Sequence, residues 1–240
     1  MPTQLNGRTC NMDEISKIAK KNNLFIVEDS AQSLGSKFKD KSAGTFGLAS
    51  CISFFPAKVM GCFGDAGAII VNDEDLYNKC YQIRDHGRDK DGDVVRWGRN
   101  SRLDNLQAAI LRYKLNNYHT VVERRREIAS LYEEHLNDLE ELILPPAPDS
   151  DKDHFDVFQN YELAANDRDG LKDYLDKNGI GTLIQWGGMA IHHYKNLGFK
   201  QVLPNTDRFF NHCIMLPMNI FITNEEVEYI CDITRKFYRG

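Results

Sequence analysis

From Ser50 to Gly67 the sequence runs Ser-Cys-Ile-Ser-Phe-Phe-Pro-Ala-Lys-Val-Met-Gly-Cys-Phe-Gly-Asp-Ala-Gly, which sets a single lysine between an apolar run and a cluster of glycines. Ala49 to Phe55 reads as a short buried strand, because it is rich in aromatic and β-branched residues and Pro56 ends it. Lys58 therefore leaves the end of a strand and enters a turn. Gly61, Gly64 and Gly67 let the backbone bend there and approach a neighbour closely. An apolar strand resumes at Ala68 to Val71. Taken alone, such a lysine is most often a solvated loop residue, and these glycines match neither a P-loop nor a dinucleotide fingerprint.

A second stretch changes that balance. Leu24-Phe25-Ile26-Val27-Glu28-Asp29-Ser30-Ala31-Gln32 reads as a buried parallel strand whose carboxyl end carries charge. In open α/β sheets that is the edge where ligands bind. A lysine desolvated beside apolar residues can lose its proton and attack a carbonyl. Pyridoxal phosphate needs such a lysine for its aldehyde and a carboxylate to keep its ring nitrogen protonated. Lys58 and Asp29 offer that pair, and Ser53 adds a hydroxyl for a phosphate.

Val27-Glu28-Asp29-Ser30-Ala31-Gln32, Ser53-Phe54-Phe55-Pro56-Ala57-Lys58 and Gly64-Asp65-Ala66-Gly67 resemble the DegT/StrS family of nucleotide-sugar aminotransferases. The resemblance continues through His86-Gly87, Gly98-Arg99-Asn100-Ser101-Arg102-Leu103-Asp104, Gln107-Ala108-Ala109 and Leu216-Pro217-Met218, over almost the whole chain. It implies that Lys58 is the catalytic lysine that forms a Schiff base with the cofactor and that Asp29 is the partner of the pyridine nitrogen. It further implies Gln32 at the cofactor ring or its phenolic oxygen, Ser53 at the phosphate, and Asn100 at the phosphate of the neighbouring subunit in a homodimer. The implied fold is α/β: an incomplete three-layer αβα large domain of pyridoxal-phosphate fold type I, resembling aspartate aminotransferase, with a smaller α+β C-terminal domain. Residues 1–120 would belong to the first and 121–240, including a long connecting helix, to the second.

The implied activity is transamination of a nucleotide-linked keto-deoxysugar, with glutamate as amino donor, giving an amino sugar for polysaccharide or natural-product biosynthesis. Family members carry an N-terminal segment ahead of the position that matches Met1, with a phosphate-binding turn and an aromatic that stacks on the cofactor. The expectation is therefore a truncated enzyme. The alternative is a catalytically silent truncated paralogue that serves as a cofactor-binding or dimerisation partner. A sugar dehydratase on the same scaffold replaces the lysine, which Lys58 argues against.

Thirty basic and 35 acidic residues among 240 give a net charge of −5 without a one-sided block, so neither nucleic acid nor a membrane surface is expected as a partner. Six cysteines without a Cys-x-x-Cys pair fit a reducing, cytoplasmic setting. Asn11 to Lys21 reads as a helix with Ile15, Ile18 and Ala19 packed on the sheet. Pro145 to Asp151 is a stiff polar connector. Beyond it, Phe155–Leu163 and Ile180–Trp186 read as strands, and Thr223-Asn224-Glu225-Glu226 is a capping box that opens the last helix. His192-His193 is not expected to hold a metal, because adjacent histidines point in different directions and no carboxylate stands at ligand spacing.

Overall fold

The computed structural model describes all of residues 1–240. The chain forms two compact units, Met1–Glu123 with Lys152–Gln159, and Arg124–Asp151 with Asn160–Gly240. In chain order the elements are α1 (Met12–Lys21), β1 (Val27–Asp29), β2 (Lys37–Phe38), β3 (Lys41–Ser42), β4 (Ala49–Ser53), β5 (Gly67–Val71), α2 (Glu74–Arg84) and α3 (Asn105–Leu115). There follow α4 (Tyr118–Leu136), β6 (Leu142–Ile143), β7 (His154–Phe155), β8 (Tyr161–Ala165), α5 (Arg168–Lys177), α6 (Pro204–His212), β9 (Cys213–Leu216) and α7 (Asn224–Arg239). No helix is long and apolar enough to cross a membrane. The mixed α/β fold class read from the sequence is the one observed.

In the first unit β1 runs parallel to β4, and β5 is antiparallel to β4. Thr3 adds a parallel bridge to Asp29 on the other side of β1. Asn11 starts α1 by accepting a hydrogen bond from the Glu14 amide at 3.2 Å, so one of the orphan donors of the first turn is satisfied. The helix buries Met12 and Ala19 but leaves Ile18 exposed, a narrower apolar face than the sequence spacing implies.

The strand around Asp29 differs more from expectation. Leu24 and Phe25 are 62% and 83% exposed, and the strand begins only at Val27. The cause lies in the end of α1: the Leu24 amide caps the Ala19 carbonyl at 2.9 Å, and Asn23 has a positive φ of 52°, so the chain is still turning at Leu24. Inward from the sheet points Glu28, fully buried. Its Oε1 accepts from the amides of Phe46 (2.7 Å) and Gly47 (2.9 Å), and its Oε2 from the Gly44 amide (2.8 Å) and Gln4 Nε2 (2.9 Å). Four donors meet one carboxylate, which offsets the cost of burying it.

The second unit is built on the antiparallel sheet β6-β8-β9. Tyr132 of α4 and Tyr161 of β8 stack with ring centroids 4.7 Å apart in its core, and the Tyr132 hydroxyl donates to the Pro217 carbonyl at 2.8 Å. The capping box forms: the Glu226 amide donates to Thr223 Oγ1 (3.2 Å) and the Thr223 amide to Glu226 Oε2 (2.8 Å). Val227, Ile230 and Ile233 then bury one face of α7.

Two expected strands are shorter than their apolar runs. Phe155–Leu163 is split, with β7 pairing to β2 in the first unit and β8 lying in the second. Phe158, at a positive φ of 48°, breaks the extended run. Within Ile180–Trp186 the chain makes only an isolated bridge, Leu183 to Met215, before a 3-10 turn at Gln185–Gly188. Trp186, Gly187 and Gly188 all have positive φ, which no strand accommodates.

Glu28→Gln tests the buried carboxylate. All four partners are donors, so a glutamine amide must set its own N–H groups against two of them. A loss of roughly 2–4 kcal/mol is expected, seen as a lower urea midpoint with an unchanged slope.

Candidate active site

Strand alternation places the candidate residues. Asp29 is registered with Cys51 and so projects on the face opposite the buried Glu28, Ser50 and Ile52, at the carboxyl end of β1. Ser53 ends β4 on the same face as Asp29, two residues beyond Cys51. Asp29 Oδ1 accepts from the Ala31 amide at 3.2 Å, and Ser53 Oγ accepts from the Phe55 amide at 3.3 Å. Each side chain thus begins the turn that follows its strand. Gln32 Oε1 accepts from the Asn6 amide at 2.8 Å, which ties the turn after β1 to the first residues of the chain.

Lys58 sits in a tight loop from Phe55 to Gly64. The Lys58 amide donates to the Phe55 carbonyl at 2.9 Å. A Cβ at Gly61 would lie 2.5 Å from the carbonyl oxygens of both Phe55 and Pro56, so only glycine allows the loop to close. Buried Cys62 donates its thiol to the carbonyls of Phe54 (3.1 Å) and Gly64 (3.3 Å), a packed structural group.

From elsewhere in the unit, Gln107 Oε1 accepts from the Phe63 amide at 2.9 Å and Lys114 Nζ donates to the Gly61 carbonyl. Gln159 clamps both flanks of the lysine: its Oε1 accepts from the Val59 amide and its Nε2 donates to the Ala57 carbonyl, each at 2.9 Å. Sequence reading missed Gln159, since 100 residues separate it from Val59 and no local motif marks it.

Partial burial holds the Lys58 amine below its ordinary pKa, and the charge of Asp29 acts in the opposite direction. The two residues are therefore within electrostatic reach of each other. Burial prevails, so more of the amine is neutral at a given pH than in water. A lysine amine with a lowered pKa within electrostatic reach of a carboxylate, with a hydroxyl at the end of the adjacent strand, is the donor set that pyridoxal phosphate requires, and these residues fit it.

Asn100 stands apart from this group. It is exposed, bridges Asp85 in antiparallel fashion, and accepts from Arg102 Nε at 3.0 Å. Nothing in the single chain brings it to Lys58.

The histidine pair departs from the sequence argument. His192 and His193 do not point apart: both Nε2 atoms reach Asp207 Oδ1, at 2.8 and 2.6 Å. The carboxylate lies 14 residues beyond His193, outside the local spacing considered. The two hydrogen bonds lower the Asp207 pKa. His193 Nδ1 accepts from the Ala190 amide at 3.1 Å, so its Nε2 carries the proton given to Asp207. A metal ligand through Nε2 needs the opposite tautomer.

With this geometry in view, the comparisons decide the family. The model of the DegT/DnrJ/EryC1/StrS aminotransferase family matches residues 1–235. The chain belongs to that family.

Among relatives, the chain is 35% identical to a pleiotropic regulatory protein of Geobacillus stearothermophilus, over all of this chain and 65% of that protein. It is 31% identical to the UDP-2-acetamido-2-deoxy-3-oxo-D-glucuronate aminotransferase of Pseudomonas aeruginosa, over 96% of this chain and 63% of that one. A crystal structure of a DegT DnrJ EryC1 StrS aminotransferase from Brucella abortus superposes with a TM-score of 0.90 at 32% identity, covering 99% of this chain and 64% of that one. The DegT/StrS fold is thus present here over somewhat less than two thirds of the relatives' length.

Two predictions follow from the lysine loop. Gln159→Leu leaves the Val59 amide and the Ala57 carbonyl without their partner, at a cost of about 1–3 kcal/mol, read from thermal unfolding. Asp29→Asn removes the charge that holds a proton on Lys58. Its midpoint for reductive methylation, followed by peptide mass mapping, should move to lower pH; an unchanged or higher midpoint contradicts the coupling.

Proposed function

We propose that this chain carries the catalytic residues of a pyridoxal-phosphate-dependent sugar aminotransferase, which moves an amino group from glutamate to a nucleotide-linked keto sugar. The observation that carries this reading is the partly desolvated Lys58 amine, electrostatically coupled to Asp29 at the carboxyl ends of the strands. Family membership supports it, and so do the names of relatives. The Pseudomonas aeruginosa protein is named for a UDP-linked oxo sugar, and a Streptomyces venezuelae protein, 30% identical, is named as a dTDP-3-amino-3,4,6-trideoxy-alpha-D-glucose transaminase.

When bound, the cofactor supplies an aldehyde that condenses with amines and a ring that accepts the electron pair of a broken bond. Asp29 would keep the ring nitrogen protonated, since a carboxylate favours the charged pyridinium. Lys58 Nζ would hold the cofactor through its aldehyde and, when free, would carry the proton to and from the carbon that bears the amino group, a task that a lowered pKa suits. Ser53 Oγ would contribute to the phosphate site, and Gln32 would contact the ring. Asn100, remote from these in one chain, serves the site of a second copy in a cytoplasmic homodimer.

Incubation with pyridoxal phosphate, reduction with borohydride and peptide mapping should find the pyridoxyl group on Lys58. Lys58→Ala should abolish labelling and lower glutamate-dependent amination of the sugar by about 10²–10⁴-fold. Labelling spread over surface lysines, with Lys58 unmodified, overturns the proposal.

A further inference from the structure

Gln32 and Gln159 are joined through a single residue. The Asn6 amide donates to Gln32 Oε1 at 2.8 Å, and the Asn6 carbonyl accepts from the Gln159 amide at 3.1 Å. The turn at residues 6–8 is seated at further points on the segment that ends at Gln159. The Val157 amide donates to the Gly7 carbonyl at 2.9 Å, and Arg8 forms an ion pair with the buried Asp156. Gly7 has a φ of +91°, and a Cβ there would lie 2.6 Å from the nitrogens of both Phe158 and Gln159. The two backbones meet this closely only because the residue is glycine.

At its other end the buried Gln159 side chain holds both peptide groups of Lys58. The Ala57 carbonyl, which accepts from Nε2, precedes the φ rotation of Lys58, and the Val59 amide, which donates to Oε1, follows its ψ rotation. One planar amide that engages both sides fixes both rotations, as the peptide group of a neighbouring strand does in a ladder. The direction of the Lys58 Cα–Cβ bond is set in this way.

Gln32, Asn6, Gln159 and Lys58 thus lie on one hydrogen-bonded path. We propose that Gln159 is a positioning residue of the site: through Asn6 it holds Lys58 at a set distance and angle from Gln32, so that both reach one cofactor. A side chain that had only to close the loop would need no tie to Gln32. Gln107 and Lys114 do that simpler task, at Phe63 and Gly61, beyond the lysine itself. The inference rests on the proposed function where it takes Lys58 and Gln32 as contacts of one cofactor, but the linkage between them is measurable without any.

The test is a double-mutant cycle on the 240-residue protein without cofactor. It reads residue-resolved hydrogen exchange at the Val59 amide against that of the Leu48 amide, which pairs with the Ile26 carbonyl in the same unit at 2.8 Å. Gln32→Leu should speed Val59 exchange about threefold or more, although Gln32 stands in the turn after β1. Gln159→Leu should speed it about tenfold or more. It should also raise the pH midpoint for methylation of Lys58, since a lysine freed from this geometry loses its burial, the larger of the two effects on its amine. Gln159→Glu keeps an acceptor for Val59 and should restore much of the protection. In the Gln159→Leu background, Gln32→Leu should have no further effect; beside Gln107→Leu, which releases Phe63 instead, its effect should persist in full. With pyridoxal phosphate and borohydride, Gln159→Leu should lower the yield of pyridoxyl label on Lys58 about tenfold at limiting cofactor. Additive effects of the Gln32 and Gln159 substitutions, or a Gln32→Leu variant with unchanged Val59 exchange, overturn the proposal. Coupling in the cycle with no label on Lys58 of the unsubstituted protein overturns the transamination reading instead and upholds the positioning of Lys58 by Gln159.

Discussion

Burying a carboxylate without a cation beside it demands donors from several directions, and Glu28 obtains them from the backbone of Gly44, Phe46 and Gly47 and from Gln4. Three of the donors come from one turn, residues 44–47, and the fourth from Gln4 near the start of the chain. The extended segment at Gln4, the turn before β4 and β1 itself are thereby brought into one register. Because side chains alternate along a strand, fixing Glu28 inward fixes Asp29 outward. A shift of one residue would turn Asp29 inward and Glu28 outward. The position of Asp29 is thus a consequence of how its neighbour is satisfied.

The lysine loop shows the same logic in another form. Lys58 has no regular element to hold it, so its place depends on hydrogen bonds to the loop backbone from Gln107, Lys114 and Gln159. These contacts leave the amine itself out of the network. Its proton affinity is then set by two opposed effects, loss of water and the field of Asp29, and the first is larger. A rigid backbone with an unengaged amine is what a nucleophile needs, since any strong partner on Nζ would stabilise the charged form.

Features set by short-range chemistry were legible in the sequence. The Thr223–Glu226 capping box, the Asn11 cap and the strand ahead of Pro56, which ends at Ser53 rather than Phe55 and buries only one face, all depend on residues within a few positions of one another. What was not legible depends on distance or on a local conformational exception. Gln159 acts across 100 residues, and Asp207 gathers two histidines from 14 and 15 residues away. Leu24 and Phe25 look like core residues, yet they fall in the turn that ends α1 and lie exposed. Hydrophobic pattern says that a residue seeks cover, but not whether this stretch of chain provides it.

Asp29 and Ser53 share their sheet face with Val27, Cys51 and Ile69, which are open to solvent. Water in contact with that face screens the field of Asp29 at Lys58 and hydrates the amine, and both effects weaken the contrast on which the site's chemistry rests. Cover over the apolar part of the face would therefore act on the polar part too. It would deepen the desolvation of Lys58 and, at the same time, strengthen the opposing pull of Asp29. Which of the two grows faster depends on whether the cover reaches the strand ends or stops at Ile69, so the extent of burial along this single face links the stability of the sheet to the proton affinity of its lysine.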